Sequence, residues 1–254
     1  MKIIGIIPAR MAESRFPGKP LCNICESPML FHVMERAKKF NFWDHLAIAT
    51  CDSEIKEWAE SNEYTTIMTS RNHTRCLDRV AEAIDNLDIE LSDTDVVVCV
   101  QGDEPMLWPE MIQSVVDACV NDATVPCSVL AVDIVDENQY VNKDIVKIVH
   151  DKDNNVLYTS RSPIPYCESF SRELGAKRVG GILAFRWHFL KTYTNMDESP
   201  LEIKESCDSN RICDNGYKQK IAPFQYVPYF SVDSIDDVKL VENSITKDKY
   251  WRTY

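Results

Sequence analysis

A chain of 254 residues with 44% hydrophobic side chains holds enough apolar material for one large core or two lobes. Its 28 Lys and Arg against 40 Asp and Glu leave a formal net charge of -12, which argues against general attraction to nucleic acid or to an anionic membrane surface. The opening apolar run "KIIGII" is far too short to span a bilayer and no small-residue cleavage pattern follows it, so the expectation is a cytoplasmic protein with neither nucleic acid nor membrane as partner.

In chain order, "KIIGIIP" (2–8) predicts a buried first strand, and the amphipathic "MLFHVMERAKKF" (29–40) a first helix. "HLAIAT" (45–50), "YTTIMT" (64–69) and "TDVVVCVQGD" (94–103) read as strands. They alternate with helices over "SEIKEWAESN" (53–62), "LDRVAEAIDNL" (77–87) and "PEMIQSVVDACVND" (109–122). That alternation predicts an α/β fold with a mostly parallel sheet flanked by helices, whose ligands bind beyond the carboxyl ends of the strands. After about residue 125 the rhythm changes to four strand-like segments, 125–135, 144–151, 155–161 and 178–186, expected as a second lobe or an extended mixed sheet. "SIDDVKLVENSI" (234–245) predicts a closing helix with Ser234 as N-cap and Asp236 and Asp237 in its first turn.

Ten cysteines are present. Cys22 and Cys25 form a C-x-x-C, but no second pair follows and the five histidines have no zinc-ligand spacing, so reduced thiols serving as small hydrophobes are expected. The 7 glycines make neither a dinucleotide-binding G-x-G-x-x-G nor an ATPase phosphate loop. Instead "IIPARMAESRFPGKPL" (6–21) follows the first strand with a loop shaped by Pro8, Pro17 and Gly18 and carrying Arg10, Arg15 and Lys19. Guanidinium groups grip phosphate bidentately and a lysine adds a point charge, so the loop suits a polyphosphate. Its counterpart is "VQGDEPML" (100–107), which places Asp103 at a strand end where Mg2+ could bridge it to phosphate. Asp233, in "SVDSIDDV" (231–238), is a second carboxylate before the final helix.

These motifs, together with "YTSRSPIPY" (158–166) and "SPLE" (199–202), occur in an order and at spacings that resemble the 3-deoxy-manno-octulosonate (Kdo) cytidylyltransferases, over essentially the whole chain. The resemblance implies a Rossmann-like, glycosyltransferase-A-like domain spanning 1–254. Within it, a nucleotide-binding half (1–125) is followed by an acceptor and dimerisation half with a smaller mixed sheet (126–230), then a closing helix and tail (231–254). It further implies a homodimer and Mg2+-dependent transfer of CMP from CTP to a small acidic sugar, with release of pyrophosphate. Carried over by motif, Pro8, Ala9, Arg10, Arg15, Lys19 and Gln101 would bind the nucleotide, with Arg10, Lys19 and Asp103 catalytic. Asp103 and Asp233 would hold the metal, and Arg75, Arg79, Gln101, Arg161 and Asp208 would face the acceptor.

The chain departs from the family pattern in three places. Where the family has Ser-Gly-Thr before the Asp/Glu-Arg pair, this chain has Arg75, Cys76 and Leu77. Val179 and Leu183 stand where the family's His and Tyr are expected, and Asp208 and Ser209 replace Glu and Gln. All fall on segments that the resemblance assigns to the acceptor. Loss of a hydrogen-bonding partner there costs about 1 to 3 kcal/mol, so a different acid (an amino-substituted Kdo, another ulosonic acid or a phosphonate) stands beside compensated drift, with Arg75 as a candidate partner for an acceptor anion. A nucleotide-binding homologue without catalysis is a further alternative, disfavoured by retention of both aspartates.

Overall fold

The computed structural model describes residues 1–12 and 16–254, so Arg15 lies outside the described residues. β1 (Ile3–Ala9) leads through the small hairpin β2 (Asn23–Ile24) and β3 (Ser27–Pro28) into α1 (Met29–Lys38). β4 (His45–Thr50), α2 (Ser53–Ser61), β5 (Thr66–Met68), α3 (Cys76–Asp85), β6 (Val96–Val100) and α4 (Pro109–Val120) continue the alternation. Then come β7 (Cys127–Asp133), the short α5 (Glu137–Val141), β8 (Lys147–His150), β9 (Val156–Ser160) and β10 (Lys177–Arg186). α6 (Trp187–Thr194), α7 (Pro200–Glu205), α8 (Asp208–Asp214), β11 (Lys220–Phe224) and α9 (Ile235–Ile245) complete the chain.

The strands build one nine-stranded sheet in the order β11-β7-β10-β6-β1-β4-β5, from which the β8–β9 hairpin branches at β10. β6, β1, β4 and β5 are parallel, as the alternation predicts. β10 enters antiparallel between β6 and β7, so the second half extends the first sheet. Side chains alternate across it as the period of two requires: Val96, Val98 and Val100 of β6 face the layer of α1, α4 and α9, while Val97 and Cys99 face α3 and α6. All five are fully buried, which explains the unbroken apolar run of a strand covered on both faces. All ten cysteines are free thiols, and Cys99, Cys119, Cys127 and Cys207 are buried. No helix among the described residues is long and apolar enough to cross a membrane.

Two features of the fold bring distant segments to the strand ends. In β10 the pairing with β7 shifts between Val179 and Leu183, a bulge at Gly180 and Gly181. A Cβ on Gly181 would lie 2.2 Å from Glu104 Oε1, so only glycine lets the Glu104 carboxylate settle there. Glu104 in turn accepts hydrogen bonds from Ser231 Oγ at 2.9 and 3.0 Å, and Val232 N donates to Asp103 O at 3.0 Å. The segment carrying Asp233 is thereby tied to the loop after β6. Ser234 occupies the N-cap of α9 as expected, and the Asp237 carboxylate accepts from the backbone N–H groups of Asp233 and Ser234 at 3.0 and 2.8 Å.

The aromatic C-terminal tail packs on α1 around Arg36, which is fully buried. Its guanidinium pairs with Asp248 Oδ1 at 3.2 Å, donates to Tyr254 Oη at 3.1 Å, and lies 5.6 and 5.9 Å from the ring centroids of Tyr254 and Tyr250. Trp108 Nε1 donates to the other Asp248 oxygen at 2.7 Å. The tail closes a polar site that would otherwise leave a buried cation unpaired.

Removing one partner of a buried ion pair costs about 3 to 5 kcal/mol. Asp248→Ala is therefore expected to lower the unfolding free energy by about 3 kcal/mol or more in urea denaturation. Burial, reinforced by the neighbouring charge of Asp103, pushes the Glu104 carboxyl up to about 7. The folded state therefore holds this proton more tightly than the unfolded chain, whose glutamates titrate near ~4.3, and that contribution to stability is lost as pH rises from about 4 through 7. Relative to Glu104→Gln, the wild-type protein should lose stability across that interval, which paired melting curves at several pH values measure.

Candidate active site

Two adjoining cavities open at the carboxyl ends of β1 and β6. The smaller, about 240 Å³, is lined by Pro8, Ala9, Arg10 and Lys19 from the β1 loop, by the start of α3, and by Gln101 and Asp103 from the loop after β6. The larger, about 710 Å³, extends from Gln101 and Asp103 toward Arg161, the β10 bulge and Asp233. Gln101, Asp103, Ser206 and Asp208 line both, so the cavities meet at the strand-end aspartate. The expected nucleotide side and the expected acceptor side are thus neighbours sharing one wall.

Each side chain is held by its local structure. Gly18 takes a left-handed conformation (φ 76°) that turns the β1 loop back and leads into the short 3-10 turn Lys19–Leu21. Lys19 is only 6% exposed; its ammonium lies 2.9 Å from Asp103 Oδ2 and donates to Val232 O at 3.1 Å. A Cβ on Gly102 would approach Pro8 O at 2.8 Å, so glycine there allows the loops after β1 and β6 to touch. Arg10 Nη1 reaches His73 O at 3.4 Å, joining the β1 loop to the segment before α3. Asp52, at the N-cap of α2, accepts from Met11 N at 2.7 Å and anchors the same loop.

The acceptor-side predictions separate on inspection. Arg79 is buried and directs Nη1 to Thr69 Oγ1 at 2.5 Å and Ser70 O at 3.3 Å, bracing α3 against the end of β5. Arg75 pairs through Nε with Glu198 Oε1 at 2.6 Å and lies 3.6 Å from Glu202 Oε1, so its charge joins α3 to α7. Glu202 is itself held by Arg211 in a two-pronged contact at 2.7 and 2.8 Å. Arg161 donates to Glu205 O at 2.9 Å and Lys143 O at 3.0 Å at the edge of the larger cavity. Asp208 accepts from Cys76 Sγ at 3.2 Å, and burial raises its carboxyl above the ordinary value. A hydrogen bond with Cys99, followed by burial, keeps Cys76 a neutral thiol.

Four of the positions that depart from the family pattern, Val179, Leu183, Asp208 and Ser209, line the larger cavity, while Arg75 and Cys76 line the smaller. Sequence reasoning missed Glu104, Gln139 and Arg178, which also line the larger cavity. Gln139 Oε1 and Ser209 Oγ are buried without a hydrogen-bond partner, as is Asp103 Oδ1. Such atoms cost energy unless a ligand or water meets them. For Glu104 a signal existed: it follows Asp103 directly in "QGDEP". Nothing local marks Gln139.

Asp103 and Asp233 both line the larger cavity, and Asp103 Oδ1 is buried without a hydrogen-bond partner. No group of three or more His, Cys, Asp or Glu among the described residues is placed to hold a metal ion. Two carboxylates without a protein cage suit Mg2+, which keeps water and takes its remaining ligands from substrate phosphates. The residues present therefore fit that ion.

Comparison with known proteins establishes the family. A cytidylyltransferase family model matches residues 4–221. The chain is 39% identical over 220 residues to a 3-deoxy-manno-octulosonate cytidylyltransferase of Syntrophus aciditrophicus (strain SB), covering 87% of this chain and 88% of the relative. It is 36% identical over 249 residues to an 8-amino-3,8-dideoxy-manno-octulosonate cytidylyltransferase of Shewanella pealeana (strain ATCC 700345 / ANG-SQ1), covering 98% of this chain and 100% of the relative. Among solved structures, a CMP:2-keto-3-deoxy-manno-octonic acid synthetase complexed with CTP superposes with a TM-score of 0.87 at 28% identity, covering 97% of this chain and 99% of that one. A family model spanning most of the chain and relatives above one third identity over nearly its full length lead to one conclusion: the chain belongs to the 3-deoxy-manno-octulosonate cytidylyltransferase family and is a nucleotidyltransferase.

Proposed function

We propose that this protein transfers CMP from CTP to a 2-keto-3-deoxy sugar acid of the Kdo type and releases pyrophosphate. The observation that carries the reading is the meeting of the two cavities at Asp103, with cations of the β1 loop on one side and unpartnered polar atoms on the other. CTP occupies the smaller cavity with its phosphates toward Arg10 and Lys19, and Arg15 belongs to the same loop. The acceptor occupies the larger cavity, where Gln139 Oε1 accepts from a sugar hydroxyl and Ser209 Oγ meets another polar group. Arg161 and Arg178 supply positive charge for the acid's carboxylate.

In the reaction the acceptor hydroxyl oxygen attacks the α-phosphorus, a new oxygen–phosphorus bond forms, and the bond to the β-phosphate bridging oxygen breaks. The pyrophosphate leaves with its charge balanced by the loop cations. Asp103 and Asp233 would hold Mg2+, which supplies charge neutralisation at the phosphates and lowers the pKa of the attacking hydroxyl. The hydroxyl proton leaves to solvent, and no histidine or cysteine base takes it, in keeping with Cys76 being a neutral thiol. A homodimer, implied by the resemblance, is part of the same reading, and analytical ultracentrifugation tests it.

A second reading concerns the acceptor alone. Val179 and Leu183 make part of the larger cavity apolar and Asp208 keeps a carboxyl there, so an acid with fewer hydroxyls or with an amino group fits these positions as well as Kdo does. The 8-amino-Kdo enzyme among the relatives is the natural comparison.

The pair is separated by pyrophosphate release from CTP and Mg2+ with Kdo, its 8-amino analogue and a sialic acid. Release with at least one 2-keto-3-deoxy octulosonate, and none with the sialic acid, is expected; silence with both octulosonates would overturn the reading. Asp103→Asn should lower kcat by roughly 100-fold or more under saturating Mg2+, and near-native turnover in that variant would contradict the assigned role.

A further inference from the structure

We infer that the Lys19 ammonium is the counter-ion of the metal-binding carboxylate in the nucleotide-free enzyme, so that the divalent cation binds together with the nucleoside triphosphate rather than ahead of it. The inference rests on the proposed metal role of Asp103 and adds an order of binding to it.

Lys19 was expected from its motif to serve phosphate. Its position in the fold gives it another occupation. The side chain is nearly buried, and Nζ lies 2.9 Å from Asp103 Oδ2 and 3.1 Å from Val232 O. It therefore links the β1 loop to the loop after β6 and to the segment ending in Asp233. Asp103 Oδ1, the oxygen left for a cation, is buried without a partner.

A monovalent charge already stands against the carboxylate on its other oxygen. A divalent ion arriving alone at Oδ1 adds two positive charges beside that ammonium, at a site only partly open to water, where screening is weaker than in bulk. A triphosphate arriving with the ion reverses the balance: it brings several negative charges into the cavity that Lys19 also lines, and one phosphate oxygen can take over the ammonium. Lysine suits the exchange, because it is a point charge on a flexible stem and can trade a carboxylate for a phosphate without a fixed fork geometry. Metal and nucleotide binding are then positively coupled through one side chain, and reciprocity requires that the metal improve nucleotide affinity by the same factor.

The test uses the full-length protein and Mn2+, with bound ion counted by electron paramagnetic resonance, first without nucleotide. Wild-type protein should bind Mn2+ at this site more weakly than about 1 mM. Lys19→Met, which keeps an unbranched side chain one atom shorter and removes its charge, should tighten that binding by roughly tenfold or more, and Lys19→Arg should not. With CTP present and no acceptor, the gain from Lys19→Met should shrink, because the triphosphate now neutralises the charge in the wild type. Unchanged or weaker nucleotide-free Mn2+ binding in a folded Lys19→Met protein would overturn the inference. So would submillimolar, Asp103-dependent Mn2+ binding to the nucleotide-free wild type, a measurement that needs no lysine variant. Failure of the underlying reading is distinguishable: Asp103→Asn would then leave Mn2+ binding intact in the presence of CTP.

Discussion

The contact on which the site depends is the ion pair of the buried Lys19 with the half-buried Asp103. It joins the loop after β1 to the loop after β6, and the same ammonium reaches the carbonyl of Val232, one residue before Asp233. Three segments separated by up to 213 residues in sequence are held at one point. Ion pairs that are partly or wholly removed from water contribute little net stability compared with apolar packing, so a pair kept at a cavity junction is better understood as fixing geometry. Glu104 supports it from behind: its carboxylate sits against the Gly181 backbone, accepts from Ser231, and fixes the approach of the third segment.

The second cavity is built from different material. Its wall is made by the bulge in β10, by the start of α8 and by α5, all elements of the half of the chain that follows β7. Arg75 spans the boundary, tying α3 to α7 through Glu198 and Glu202. A large cation introduced where the family has a small residue could have served the ligand directly. Here it is matched by Glu198, just before α7, and by Glu202 within it, which makes it a brace of the wall. Cys76 beside it contacts Asp208, so the replaced segment before α3 and the replaced segment at α8 meet each other. Changes that look independent in sequence are in contact in the fold. Such contact favours a jointly rebuilt wall over scattered drift.

Much of this was legible in the sequence because it is local. The apolar runs of β1, β4 and β6, the amphipathic periods of α1 to α4 and the cap of α9 follow from spacing alone, and the structure places them within a few residues of expectation. Pro8, Arg10, Lys19, Gln101 and Asp103 were brought together because strand-end loops of a parallel sheet share a rim. Other elements were not legible for physical reasons. α5, α7 and α8 are one or two turns long, too short for a period to show, although Ser199 and Glu202 of "SPLE" form a capping box that could have marked α7. The insertion of β10 between β6 and β7 is a choice of pairing partner, which no local pattern encodes. The commitment of Lys19 to Asp103 and of Arg75 to Glu198 likewise depends on what the fold places opposite each cation.

Nucleotidyl transfer at the junction of the two cavities can be followed by phosphorus-31 NMR of one reaction mixture. With CTP, Mg2+ and Kdo or its 8-amino analogue, the three CTP resonances should disappear in step with the appearance of one CMP phosphodiester and one pyrophosphate, in equal amounts. Appearance of free CMP or CDP without the phosphodiester, or an unchanged CTP spectrum with both acids, would contradict it.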